Sequence, residues 1–247
     1  MRALFPLLLV FGAVLAQGLV LEDDLVQALE LAPGGEAGLV LSLRNEGPNP
    51  LRVRVEVADY REDQGFLPPG SLPQSLAGGL FLEAPEVVVP PRGRARVGLR
   101  VQAPSDLEGS RYAYLLLTPE PLSGVQGSGE GVRVGVNLVQ RYAVLVAASH
   151  GGRPEVRFLE AKREGERLVF LGENRGSRLY RPLVRYQVVG AKGVVAEGYL
   201  GTYTFLPQNP KAVPVPLPRL APGSYLVQLI LDDGVYAYAV RARLDLP

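Results

Sequence analysis

His150 is the chain's one histidine and stands between Ser149 and Gly151. Imidazole titrates near neutral pH and is the commonest general base. To activate a serine it must sit beside a nucleophile, with a carboxylate behind it. Nothing near His150 has the G-x-S-x-G pattern of a nucleophile elbow. It reads as a solvated residue in the polar stretch "ASHGGRPE", 148–155.

The acidic groups are the next place to look for chemistry. They are Glu22-Asp23-Asp24, the "DYRED" run Asp59–Asp63, and Asp232-Asp233. A calcium loop places oxygen ligands at alternating positions around a glycine turn. "LDDG" has the glycine but too few ligands, so it reads as a tight hairpin turn. "DYRED" carries an arginine among its acids and reads as a charged loop. "GSGEG" at 127–131 lacks the lysine and the strand–loop–helix setting of a phosphate cradle, and reads as a flexible loop. The sequence therefore leads to no expected catalytic residue, metal ligand or cofactor.

The residues with the clearest pattern bear no chemistry. In "GVRVGVNLVQRYAVLVAA", 131–148, the even positions run Val132, Val134, Val136, Leu138, Gln140, Tyr142, Val144, Val146. Strict alternation is a β-strand signal. At about 3.3 Å per residue such a strand reaches roughly 55 Å, well beyond the usual span.

The same alternation recurs throughout. Leu39, Leu41 and Leu43 precede the turn "NEGPNP"; Leu51, Val53, Val55 and Val57 alternate with Arg52, Arg54 and Glu56. "PPRG" turns into Ala95, Val97, Leu99 and Val101, and "YAYLLLTP" is a further strand. After 148–155 the pattern restarts at "ERLVFLGEN", "PLVRYQVVG", "GVVAEGYLG", "KAVPVPLP", "SYLVQLILDDG" and "VYAYAVRARLDL". No amphipathic helix interrupts it. The expectation is an all-β protein of two immunoglobulin-like β-sandwiches in tandem, antiparallel, over residues 17–148 and 149–247. Residues 61–80, "REDQGFLPPGSLPQSLAGGL", form the longest irregular piece of the first domain and are expected to be mobile.

Composition narrows the setting. Basic and acidic residues balance at 26 and 25, which gives no basis for nucleic-acid binding. Met1-Arg2, an apolar run from Ala3 to Val14 and the small residue Ala16 read as a cleavable export signal over 1–16. That run is shorter than the roughly 20 residues of a membrane-spanning helix, so stable membrane insertion is not expected. There is no cysteine, hence neither a lipid-modified cysteine nor a disulfide. The expected location is periplasmic or extracellular.

The order of features resembles that of the PapD-like periplasmic pilus chaperones. "GLVLSLRNEG" is similar to the family's second strand and its Asn-containing turn, and "VVVPPRGRARVGLRV" to its proline loop and basic strand. "SRYAYLLLTPEP" resembles the strand that runs into a proline pair. In the second half "NRGSRLYRPLVRYQV", "FLPQNPKAVPVPLPRLAPGSY" and "LVQLILDDG" are similar to the C-terminal domain.

The resemblance implies a non-enzymatic assembly chaperone. Its partner would be a secreted, pilin-like β-sandwich subunit that lacks a strand, with an outer-membrane usher as a second partner. A self-capped dimer is another way to cover the exposed strand. The long strand lies where the family keeps its donor strand, which makes Val132, Val134, Val136 and Leu138 the expected partner-binding residues. The family's basic anchoring pair is not matched: Ala143 falls at one position, and "DLVQALELAP" has no base. Arg141 is the candidate carboxylate anchor in its place.

Two readings remain open on the residues themselves. Either 132–138 is an exposed donor edge, or it packs as core in a tandem structural or adhesive cell-envelope protein.

Overall fold

The computed structural model describes residues 18–122 and 141–246. Their one helical turn is a three-residue 3₁₀ segment, Ala77–Gly79; everything else regular is strand. The architecture is all-β, built as two immunoglobulin-like sandwiches in tandem.

The first sandwich uses β1 (Leu19–Leu21), β2 (Val26–Glu30), β3 (Glu36–Asn45), β4 (Leu51–Arg61), β5 (Gly65–Leu67), β6 (Leu80–Leu82), β7 (Glu86–Val89), β8 (Arg94–Gln102), β9 (Gly109–Pro121) and β10 (Tyr142–His150). One sheet runs β1-β3-β8-β6; the other runs β2-β10-β9-β4-β5, with β7 also on β4. The second sandwich uses β11 (Val156–Glu164), β12 (Arg167–Asn174), β13 (Leu183–Gly190), β14 (Gly193–Thr202), β15 (Pro210–Pro216), β16 (Gly223–Asp232) and β17 (Ala237–Leu246). Its sheets run β11-β12-β15 and β14-β13-β16-β17.

The alternation decides which side chains go inside. Leu51, Val53 and Val55 are buried with Leu41, Leu43, Val97, Leu99 and Val101, while Arg52, Arg54 and Glu56 stay wet. Phe170, Val184, Val188, Val213, Val215, Val227 and Leu229 do the same in the second core. Burying each such side chain contributes about 1.5–3 kcal/mol before chain entropy is counted. Prolines 210, 214 and 216 lie on β15, which pairs only with β12. A residue without an N–H is tolerated on such an edge.

Each sandwich closes one strand end with the same device. Asn45 Oδ1 accepts from Gly47 N–H (2.8 Å), and its Nδ2 donates to the carbonyls of Asn49 (2.7 Å) and Val89 (3.3 Å). Asn174 Oδ1 accepts from Gly176 N–H (3.1 Å) and Glu155 N–H (3.0 Å), and its Nδ2 donates to Arg178 (2.7 Å) and Phe205 (3.1 Å). Both amides are buried. Such fully partnered groups cost little, whereas an unpaired one would cost about 1–3 kcal/mol.

Four expectations are corrected. β2 pairs with β10 in parallel, so the first sandwich is not wholly antiparallel. The chain reaches this by leaving one sheet after β1 and entering the other as β2. "DYRED" is not a charged loop at its start: Asp59 lies on β4, buried, and accepts from Leu72 N–H (3.0 Å) and Ser75 Oγ–H (2.7 Å). Segment 61–80 is accordingly tethered, with β5 inside it and Leu76 in the core. His150 ends β10, exposed to solvent, rather than standing in an irregular linker.

Candidate partner-binding edge and cleft

β10 is bordered differently along its two halves. On one side β9 pairs with all of it, from Tyr142↔Leu117 to His150↔Gly109. On the other side β2 covers only Leu145–Ser149, beginning where Leu145 N–H donates to the Leu25 carbonyl at 2.8 Å. Ala143 and Val144 therefore border no second strand among the described residues. The half that β2 does not border is the one that leads back toward residue 140.

The two faces of β10 serve two cores. Val144, Val146 and Ala148 point into the first sandwich. Leu145 and Ala147 point the other way and pack with Tyr112 and Leu206. Val132, Val134, Val136 and Leu138 lie outside the described residues. They share sequence parity with Val144 and Val146.

Arg141 opens β10 on its outer side. Its Nε donates to Thr118 Oγ1 (2.9 Å), and an Nη sits 3.8 Å from Glu56 Oε2. The two charged side chains are 47% and 48% exposed. Arg54 pairs with Glu120 (3.3 Å) and Arg52 with Glu86 (4.0 Å) beside them. The guanidinium therefore belongs to a wet ladder of opposite charges, where a pair contributes about 0–1 kcal/mol.

Toward the second sandwich the same face turns apolar. Tyr112 is buried at the seam, its hydroxyl 3.4 Å from the Pro207 carbonyl, and burial pushes its phenol up to about 12. Burial likewise raises Tyr114, which packs tilted against Tyr60 and edge-on against Phe66. Asn209 reaches across: Oδ1 accepts from Glu62 N–H (3.0 Å) and Nδ2 donates to the Tyr60 carbonyl (3.0 Å). Lys211 pairs with Glu62 at 3.2 Å, Arg178 with Glu30, and Gln74 with Gln208.

The far side of the seam is held by backbone. Ser110 N–H donates to the Ser177 carbonyl at 2.7 Å, and Ser110 Oγ accepts from Leu179 N–H at 2.9 Å. Gly109 (φ 79°) permits this approach, because a Cβ there would lie 2.2 Å from the Ser177 oxygen.

Sequence reasoning did not single out Tyr112, Asn209 or Lys211 as seam residues. Their partners lie about 95 to 149 positions away, a separation that no local pattern reports. Among the described residues no group of three His, Cys, Asp or Glu is placed to hold a metal ion.

No protein-family model and no curated protein matches this chain. Solved structures do. The CsuC–CsuE chaperone–tip adhesion subunit pre-assembly complex of Acinetobacter baumannii aligns over 91% of this chain and 97% of that chain, with TM-score 0.49 and 10% identity. The E. coli chaperone DraB aligns over 94% and 98%, with TM-score 0.44 and 18% identity. Both chaperone structures are similar to this chain over most of its length. A PapD-like domain of human CEP192 also aligns, over 60% of this chain and 96% of that one, with TM-score 0.38 and 10% identity. With TM-scores below 0.5 and identities of 10–18%, these likenesses assign neither a function nor a residue role here.

Proposed function

We propose that this protein is an exported, non-enzymatic assembly chaperone. It would hold an incomplete β-sandwich subunit of a surface fibre by lending it the strand that leads into β10, in the periplasm or outside the cell. The observation that carries the reading is the half-covered β10, which β2 borders only from Leu145 onward. A strand offered to another sheet needs unpaired backbone at an edge together with alternating apolar side chains. Val132, Val134, Val136 and Leu138 supply the second requirement.

Under this reading Arg141 meets a partner's terminal carboxylate by exchanging it for Glu56. The exchange is cheap, since the resident pair is exposed and 3.8 Å apart. An usher would take the loaded complex.

One observation favours the other reading, a tandem structural or adhesive envelope protein. Val144, Val146 and Ala148 are core, and the four donor candidates share their parity. A photo-crosslinking residue at Val134, used in the exporting cell, separates the two. Crosslinks to a small secreted β-rich protein support the chaperone, and crosslinks only within the chain support the structural protein.

A further inference from the structure

Among the described residues the long edge strands are guarded, with one exception. β11 carries Arg157, Glu160, Lys162, Arg163 and Glu164; β15 carries three prolines and Lys211; β17 carries Arg241, Arg243 and Asp245. The edges β1, β5 and β6 are three residues each. Charge, proline and shortness are the usual means of keeping an edge from pairing with another chain. β14 is ten residues long, ends its sheet and has no Lys, Arg or Pro. It exposes Val194 (54%), Val195 (48%) and Tyr199 (67%).

We infer that β14 is the surface through which two copies of this chain associate, edge to edge and antiparallel. The strand is complementary to itself about Gly198. That register sets Gly198 opposite its counterpart, Ala196 opposite Leu200 of the copy, and Glu197 opposite Tyr199 of the copy. Opposed residues of an antiparallel pair share a face, and Glu197 and Tyr199 both lie on the outer one, opposite Gln187 and Arg185. Glu197 is the one charge of β14. Its carboxylate accepts from Gln187 Nε2 at 3.0 Å and has a second oxygen for the copy's tyrosine hydroxyl. No like charges meet. A side chain at Gly198 would press on the Tyr186 ring, 3.0 Å from an added Cβ, so the centre of the contact stays flat.

Register shifts against β13 flank this stretch, between Val184 and Arg185 and between Val188 and Val189. Bulges bend an edge and limit pairing. The regular part is therefore Ala196–Tyr199, so the contact is confined to the two Gly198 residues and the Glu197–Tyr199 pairs beside them, and the dimer is weak, as befits an interface below standard size.

Sedimentation velocity of the mature chain, from a few micromolar to near-millimolar, tests this. The account expects a monomer–dimer equilibrium that Tyr199→Lys weakens at least tenfold, with circular dichroism unchanged because the site is exposed. Val136→Asp should leave that equilibrium alone. A monomer at every concentration overturns the inference. So does a dimer that ignores Tyr199→Lys, or one that Val136→Asp abolishes, since it would then form through the donor segment.

Discussion

Asn209 of the second sandwich holds the end of β4 in the first by both ends of its amide, with the Tyr60 carbonyl and the Glu62 N–H each 3.0 Å away. Tyr112 and Leu206 are buried beside it. The two sandwiches therefore meet through directional bonds over an apolar patch, and the angle between them is set by the seam. Truncating Asn209 to Ala leaves a part-buried carbonyl and N–H without their partner. The expected loss is about 1–3 kcal/mol. Urea unfolding should show it, and a change below about 0.3 kcal/mol would mean that water replaces the amide.

Asp59 makes a prediction about order rather than total stability. Its carboxylate holds Leu72 N–H and Ser75 Oγ–H, which pins the segment between β5 and β6 to the end of β4. In Asp59→Ala the amides from Ser71 to Ala77 should exchange hydrogen at least tenfold faster, while the β3 and β8 amides keep their protection. Unaltered exchange at Leu72 would show that the segment is held by its apolar contacts alone.

These two residues also show what the sequence could and could not disclose. Period-2 alternation reports burial on a half-wet sheet, so β3, β4, β8 and most strands of the second sandwich are legible from it. β11 is not, because its eight residues after Val156 are mostly charged and exposed. Asp59 is not legible in this way, since a carboxylate between charged neighbours looks solvated and only the fold brings Leu72 and Ser75 to it. The parallel pairing of β2 with β10 depends on a partner more than a hundred positions away. Of the candidate site, the apolar alternation could be read and the border of the edge could not.

Tyr112 gives the seam a pH signature. Burial raises its phenol to about 12 from an ordinary value near 10. The neutral form is favoured by folding, so this stabilisation is complete below pH 10 and is lost as pH rises through about 12. The melting temperature should fall across that window, and Tyr112→Phe should flatten the fall. An identical alkaline limb in the variant would assign the effect to other groups.

Arg141 and Glu56 are predicted to matter for partner binding and hardly at all for folding. Each single alanine variant should keep its stability within about 1 kcal/mol, as for an exposed pair. Arg141→Ala should weaken capture of a partner with a free C-terminus at least tenfold, and Glu56→Gln should strengthen it a few-fold. If neither moves the affinity, no carboxylate anchor operates here.

The most direct test of the strand-lending account is one substitution, Val136→Asp, read two ways. In a donor strand the aspartate enters the partner's apolar pocket unpaired, a cost far above that of the lost methyl groups. The account predicts that capture of the partner is abolished while the free protein melts within a few degrees of the parent. A first sandwich that unfolds on the same substitution would place the residue in its own core and contradict the account.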